Sequence, residues 1–539
     1  MRRSASRWYA VLAVLAGLSL PASSAWAQQA LPSGEDLPVV VHKLANGMRF
    51  LILPRPGAPT VAFVTQYNVG SVNESLGDTG IAHMLEHLLF KGTTTIGTRD
   101  ITRERAVLRQ QDAVNDSIQL ARQAVVEDTM RVRQLEARLE RLEKQAKKYE
   151  ISNEYDDILT RAGARSMNAT TSYESTKYYV QLPANKLQLW FVLEADRMQN
   201  PVFREFYAER SVVEEERRTR LETTAGGLLT EEFYATAYHE HPYGVPVAGY
   251  MSDIENFTRA QVRQYYKEYY GPNNAVVAIV GDVDPDQVVR YADRYFGPIP
   301  ARATPKPVWD REPTQRGQRR IEVIFDAEPE LLIGWHVPDG YDHDMPALNV
   351  MASILAGGRT SRLNRRLVQR ERIALAVSAS LGPAFRYPLL FTIDAAPNAP
   401  HTTQELEKAI YAEIDSLKKT PPRPAEVQRI INQIEASQVR RLGSNLGLAF
   451  QLADSEVYYN DWRHTFRSWH AYQDVRPGDI QRVAQKYFTE ANRTVGWTRR
   501  PRPGDTGLGQ APAGASSTAA RDTGAVVRPD AGLQPGGRP

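Results

Sequence analysis

The sequence predicts an α+β protein built from two domains, and three observations carry that expectation. Val39 to Leu53 is apolar on both sides of Asn46-Gly47, the dipeptide that most favours a tight β-hairpin turn. Strand-like and helix-like segments then mix as far as Tyr295-Phe-Gly-Pro-Ile-Pro300. Residues 300–318 hold Pro305, Pro307 and Pro313 and read as a linker, after which Arg320–Phe325 and Leu331–Trp335 open a second α+β unit. The expected division is therefore 28–299, a linker over 300–318, and 319–498.

In chain order, residues 1–27 come first. A basic start (Arg2, Arg3, Arg7), an apolar run through Leu20 and small residues up to Ala27 read as a secretory signal peptide cut after Ala27. The run is too short to cross a bilayer, and no later stretch reaches the roughly 18 apolar residues of a membrane span. The chain has no Cys. That excludes a lipid-modified cysteine, disulfides and thiolate metal ligands, so metal binding falls to His and carboxylates. The expected location is the periplasm or the medium. Lys+Arg number 66 against 63 Asp+Glu, and the three signal-peptide arginines account for the formal +3. With a neutral mature chain and no basic stripe interleaved with aromatics, nucleic-acid binding is not indicated.

His83-Met84-Leu85-Glu86-His87 reads H-x-x-E-H. Apolar Ile81, Met84, Leu85, Leu88 and Leu89 recur at helical spacing, and Gly92 follows as a stop. On such a helix His83 and His87 lie one turn apart on one face, with Glu86 over the same side. Two imidazoles can then share a metal while the carboxylate reaches the water it activates, a metal-hydrolase signature. A catalytic zinc takes three protein ligands. The carboxylate-rich helical stretch Glu209 to Glu216 offers Glu209, Glu214, Glu215 and Glu216 as candidates for the third.

Taken with Glu209-Arg210-x-x-Val213-x-x-Glu216, the chain resembles the insulinase/pitrilysin (M16) family of zinc peptidases, of the two-domain type related to mitochondrial processing peptidase. The resemblance covers about residues 36–499, and four further segments carry it: Asn168-Ala-Thr-Thr-Ser172, His241-Pro-Tyr-Gly244 with Val247–Tyr250, Tyr270–Asn274, and Val280-Gly-Asp282. It implies zinc, one ion per catalytic subunit, held by His83, His87 and Glu216, with Glu86 as general base and Glu209 supporting a ligand. It implies that the strand at Asn168 and Ala169 holds an extended peptide by β-augmentation. For the fold, it implies two similar domains, each a mainly antiparallel sheet with helices on one face. Glu214 and Glu215 then read as solvated charges. His239 and His241 read as part of a turn at Pro242-Tyr-Gly, not as a second metal pair.

Two departures stand out. Between His87 and Glu216 the chain is longer than the family's usual spacing, and about 104–153 contains neither Pro nor Gly. Val107, Val114, Ile118, Ala121 and Val125, then Val132, Leu135, Leu139, Leu142, Ala146 and Tyr149, recur at spacings close to a heptad seam. This predicts an antiparallel helical hairpin turning near Asp128, either a docking or gating arm or a solvated decoration. The second departure concerns an R-x6-Y pair that the family uses to grip substrate and stabilise the oxyanion. Here Arg370 is present, but the Tyr position is Val377, which has no hydrogen bond to donate. The expected assembly is accordingly a heterodimer with an M16-like subunit that lacks H-x-x-E-H and supplies the pair, with a homodimer as the alternative. The expected activity is cleavage of extended peptides or unfolded polypeptides. The rival reading is a weak or inactive subunit that binds peptides or assembles a complex. From Arg499 to Pro539 the composition is that of a disordered tail.

Overall fold

The structure, a computed structural model, describes residues 37–124 and 128–505. The expected signal peptide, position Val125 of the hairpin seam, and the tail from 506 onward lie outside the described residues.

The class is α+β, as the sequence predicts, and the two sheets fall on either side of the proline-rich linker. The first contains β1 (Val40–Lys43), β2 (Arg49–Pro54), β3 (Thr60–Tyr67), β4 (Arg165–Thr171), β5 (Thr176–Pro183) and β6 (Ala275–Gly281), in the order β1-β2-β6-β3-β5-β4. The second contains β7 (Arg319–Ile324), β8 (Leu331–Val337), β9 (Ala374–Gly382), β10 (Leu389–Pro397) and β11 (Arg493–Arg499), in the order β7-β11-β8-β10-β9. Each is antiparallel apart from one parallel pair, β2 with β6 and β7 with β11. The second sheet thus repeats the last five places of the first. A side-chain detail repeats too: Asn274 Nδ2 donates to Asn68 O (3.1 Å) and Tyr269 O (2.8 Å), and Asn492 Nδ2 to His336 O and Tyr487 O (both 2.8 Å).

The strand sequences say how the sheets are covered. All seven residues of β6 are buried, and an apolar run with no solvent side needs cover on both faces. One face carries Phe50, Phe63 and Ile279 against Trp190, Phe191 and Phe296 from helices of the same domain. The other face carries Leu51, Leu53, Val64, Ala278 and Val280, and the Asn445–Tyr459 helix of the second domain covers it with Leu448, Ala449, Leu452 and Ala453. In return the Ala225–Ala237 helix of the first domain lays Leu229 and Phe233 on the second sheet, where glycines at 334 and 496 leave room for the rings. Helices on one face describe each domain alone; in the whole chain the domains exchange a helix.

The helical hairpin is formed by Ile101–Arg122 and Thr129–Ala146. Asp128, near which the sequence places the turn, caps the second helix through Arg131 N–H (3.0 Å). Val107, Val114, Ile118, Val132, Leu139 and Leu142 are buried in the seam. The pair is bolted to the domain at its base. Arg204, 2 % exposed, donates to Glu104 Oε1 (2.8 Å), Thr93 O (2.7 Å) and Ile96 O (3.0 Å). Arg259, 1 % exposed, bonds Leu108 O (3.0 Å), Gln111 Oε1 (2.9 Å) and the Asp112 carboxylate.

At the C-terminal end the second sheet takes in Arg499, the residue from which the tail was expected to run. Its guanidinium bonds Asp505 (2.7 Å), so the chain stays engaged with the sheet up to that point.

Candidate metal centre

H-x-x-E-H lies on a helix, Ile81–Leu88, whose entry needs glycine. Gly80 has φ 92°, and a Cβ there would lie 2.5 Å from Ala248 O. In place of a side-chain cap on Gly80, Glu74 reaches back and accepts the N–H of Gly80 (2.7 Å) and of Ala82 (2.8 Å). Burial pushes this carboxyl up to about 8, against the pull of the two N–H groups. Ile81, Met84, Leu85 and Leu88 are buried in the first-domain core, which leaves His83, Glu86 and His87 toward β4 and the Phe206–Arg217 helix.

That second helix delivers Glu216. His83 Nε2 lies 3.5 Å from Glu216 Oε1, and His87 Nε2 lies 3.3 Å from Glu216 Oε2. One ligand atom from each of His83, His87 and Glu216 falls within 4.8 Å of the others. Glu86 does not join this group. Glu209 sits behind His87, its Oε2 3.5 Å from Nδ1, and its other oxygen takes Lys91 Nζ at 2.5 Å. With Nδ1 occupied, His87 keeps Nε2 toward Glu216. Glu214 and Glu215 face elsewhere, toward Arg210 at 3.6 Å and toward Arg218 and Thr219.

The electrostatics favour a cation between the rings. Burial works against a charged His87, but Glu209 and Glu216 outweigh it and push the imidazole up to about 9. Burial likewise works against an ionised Glu216, and the hydrogen bonds from His83 and His87 overcome it, holding the carboxyl far below its usual range. The donor set suits zinc, which takes imidazole nitrogen and carboxylate oxygen in sites with three protein ligands. Among the described residues the buried His83 Nδ1 has no hydrogen-bond partner, so no hydrogen bond there competes with Nε2 facing Glu216.

Three neighbours were not singled out by sequence reasoning. Thr171 Oγ1 donates to Glu86 Oε2 at 2.5 Å. Arg220 Nη1 lies 2.5 Å from Glu216 Oε1, on the wider π-type turn Arg218–Glu222 that follows the ligand helix. Lys91 holds Glu209. Lys91 and Arg220 had a readable signal, since each follows a ligand, His87 and Glu216, by four residues; Thr171 depends on strand register.

The expected substrate residues lie on β4, an edge strand. Ala169 is buried opposite Tyr178, and Asn168 Oδ1 accepts the Ala169 N–H at 2.8 Å. Arg370 is exposed at the end of the Asn364–Arg370 turn and makes no ion pair among the described residues; Val377 is buried in β9 opposite Ala395. Neither reaches the 83/87/216 group within this chain. His241 forms a turn, as expected: Nδ1 accepts the Tyr243 N–H at 3.2 Å, and the ring packs on Tyr387.

Known proteins resemble this chain along most of its length. The insulinase (peptidase family M16) pattern matches residues 49–108 and 139–250, and the peptidase M16 inactive-domain pattern matches 256–434. The gap between 108 and 139 falls on the helical hairpin. A zinc protease of Helicobacter pylori, PqqE, is 30% identical over 483 residues, covering 88% of this chain and 94% of that one. An uncharacterized zinc protease of Rickettsia bellii is 25% identical over 423 residues, 78% of this chain and 84% of the relative. The crystal structure of a Helicobacter pylori protease superposes with a TM-score of 0.72 at 28% identity, covering 86% of this chain and all of the other. With the matched patterns, a relative at that identity along most of its length and a shared two-sheet fold, this chain belongs to the insulinase family of peptidases, family M16.

Proposed function

We propose that the chain is an exported zinc-dependent endopeptidase that cleaves extended peptides or unfolded polypeptides. The observation that carries the reading is the group of His83 Nε2, His87 Nε2 and Glu216, with Glu86 beside it and outside it. Those three residues would hold the zinc. A zinc ion there would act as a Lewis acid, making water more acidic and polarising a peptide carbonyl. Glu86 takes a proton from the attacking water on Oε1, the oxygen that bonds nothing among the described residues, and returns it to the leaving amine. Glu209 keeps His87 turned toward the site. The free edge of β4 pairs with the substrate backbone, which selects an extended chain over a folded one.

A partner subunit completes the site in this reading. The exposed Arg370 and buried Val377 supply no Arg/Tyr pair to this chain's own centre, so a related subunit that lacks H-x-x-E-H supplies it. Val377 also favours the second reading, a weak or inactive subunit that binds peptide. Export rests on residues 1–27 and places the enzyme in the periplasm or medium. Co-expression with family members, followed by a quenched-fluorescence peptide assay with and without Glu86→Gln, decides between them. Turnover that needs the partner and is lost in Glu86→Gln supports the peptidase; stoichiometric peptide binding without turnover overturns it.

A further inference from the structure

The carboxylate of Glu86 is held differently from the other acids around the centre. Glu209 is fixed by a lysine and a histidine, Glu216 by an arginine and two histidines, and Glu74 by two backbone N–H groups. Glu86 makes no ion pair among the described residues, and its one hydrogen bond there comes from Thr171 Oγ1 at 2.5 Å. Whatever fixes the direction of this carboxylate is concentrated in a single hydroxyl.

That hydroxyl sits on a stiff support. Thr171 ends β4 opposite Thr176, on the same side of the strand as Ala169, which packs into the core opposite Tyr178. Thr170 pairs with Lys177 and lies on the other side. Just beyond, Ser172 O and Tyr173 O accept the N–H groups of Ser71 (3.2 Å) and Val72 (2.8 Å). Glycine at 70 permits this approach, because a Cβ there would lie 2.2 Å from Ser172 O. A β-branched side chain has little χ1 freedom, so a threonine holds its oxygen in place better than a serine.

We propose that Thr171 is a positioning residue for the general base. Its hydroxyl occupies Oε2 of Glu86, fixes the plane of the carboxylate and leaves Oε1 as the oxygen aimed at the reacting water. The strand that pairs with the substrate therefore also sets the base. This inference rests on the peptidase reading above.

The test compares Thr171→Val, which keeps the shape and loses the donor, with Thr171→Ser, which keeps the donor, in the enzyme assembled with its partner. Thr171→Val is expected to lower kcat about tenfold or more, a fraction of what a general base contributes, with KM unchanged. Thr171→Ser is expected to recover most of the rate. Zinc content should match wild type in both. In a Glu86→Gln background, Thr171→Val should bring no further loss, because the hydroxyl acts through Glu86. A wild-type kcat in Thr171→Val, a loss expressed in KM, no recovery in Thr171→Ser, or an additional loss without Glu86 each overturns the positioning role. In those outcomes wild type still turns over and Glu86→Gln keeps only a residual rate, against which the double variant is read, so the peptidase reading stands. No turnover by wild type overturns both.

Discussion

Arg220 Nη1 lies 2.5 Å from Glu216 Oε1, the same oxygen that faces His83 Nε2 at 3.5 Å. A guanidinium on one carboxylate oxygen fixes the plane of the group and presents the other to a metal. Groups that orient metal ligands typically cost 10–100-fold in affinity when removed. Arg220→Ala is expected to weaken zinc binding by about tenfold or more on that basis, and Arg220→Lys by less. Competition against a chromophoric chelator measures it. Equal affinity in wild type and Arg220→Ala contradicts the role.

Glu216 and Glu86 should separate cleanly. Glu216→Gln removes the charged ligand, so zinc retention after dialysis should fall and the thermal stabilisation by added zinc should shrink. Glu86→Gln leaves the three-residue group intact and should retain zinc while losing turnover. Elemental analysis of both variants decides it; zinc loss in Glu86→Gln would place that carboxylate among the ligands.

The base of the helical hairpin should be a stability determinant. Glu104 and Arg204 are 1 % and 2 % exposed and joined at 2.8 Å. Removing one member of a buried pair leaves the other charge uncompensated, which typically costs about 3–5 kcal/mol. Arg204→Ala also abandons the carbonyls of Thr93 and Ile96. Urea unfolding of Arg204→Ala should show a loss of that order, whereas Arg122→Ala, which breaks a pair exposed near the hairpin's tip, should change little.

His241 sets a pH dependence of stability away from the metal centre. Burial lowers the imidazole to about 4 from 6.5; Asp310 and Glu312 oppose the shift and Arg311 adds to it. The folded chain therefore prefers the neutral ring, with Nδ1 accepting the Tyr243 N–H. Because the unfolded chain binds the proton first, this stability is complete above about pH 6.5 and is lost as the pH falls toward about 4. His241→Asn keeps an acceptor and cannot titrate. Urea midpoints across pH 4 to 7 should fall more steeply for wild type than for His241→Asn, and parallel curves would refute the assignment.

Local pattern made the ligands legible, and register hid their neighbours. Four-residue spacing on an amphipathic helix is enough to put His83 and His87 on one face, with no tertiary contact needed. The seam of the hairpin and its turn near Asp128 were equally local. Thr170 and Thr171, by contrast, are chemically identical in sequence. The choice between them depends on a bulge near Ser166, where β4 slips against β5 and the backbone takes φ 51°. Arg220 stands four residues after Glu216, a spacing that announces an ion pair but not that its partner carboxylate belongs to the 83/87/216 group. Double cover of the first sheet was written in the unbroken apolar run of β6, but which helix provides it, about 170 residues downstream, was not.

The exchanged helices make a prediction about the two halves. Separated from the second domain, the first sheet would expose Leu51, Leu53, Val64, Val276 and Val280, which the 445–459 helix now covers. Separated from the first, the second sheet would lose Leu229 and Phe233. Contiguous apolar patches of this kind drive association. Residues 37–299 and 300–505 expressed apart should therefore be insoluble or self-associated, and co-expressed they should purify together as a soluble complex. Leu452→Asp, placed in the cover and remote from the metal group in the chain, should weaken that complex without altering the 83/87/216 residues. A monomeric, cooperatively folded 37–299 fragment would show that the second domain's helix is dispensable cover, and the two-domain chain would then be two independent units in series.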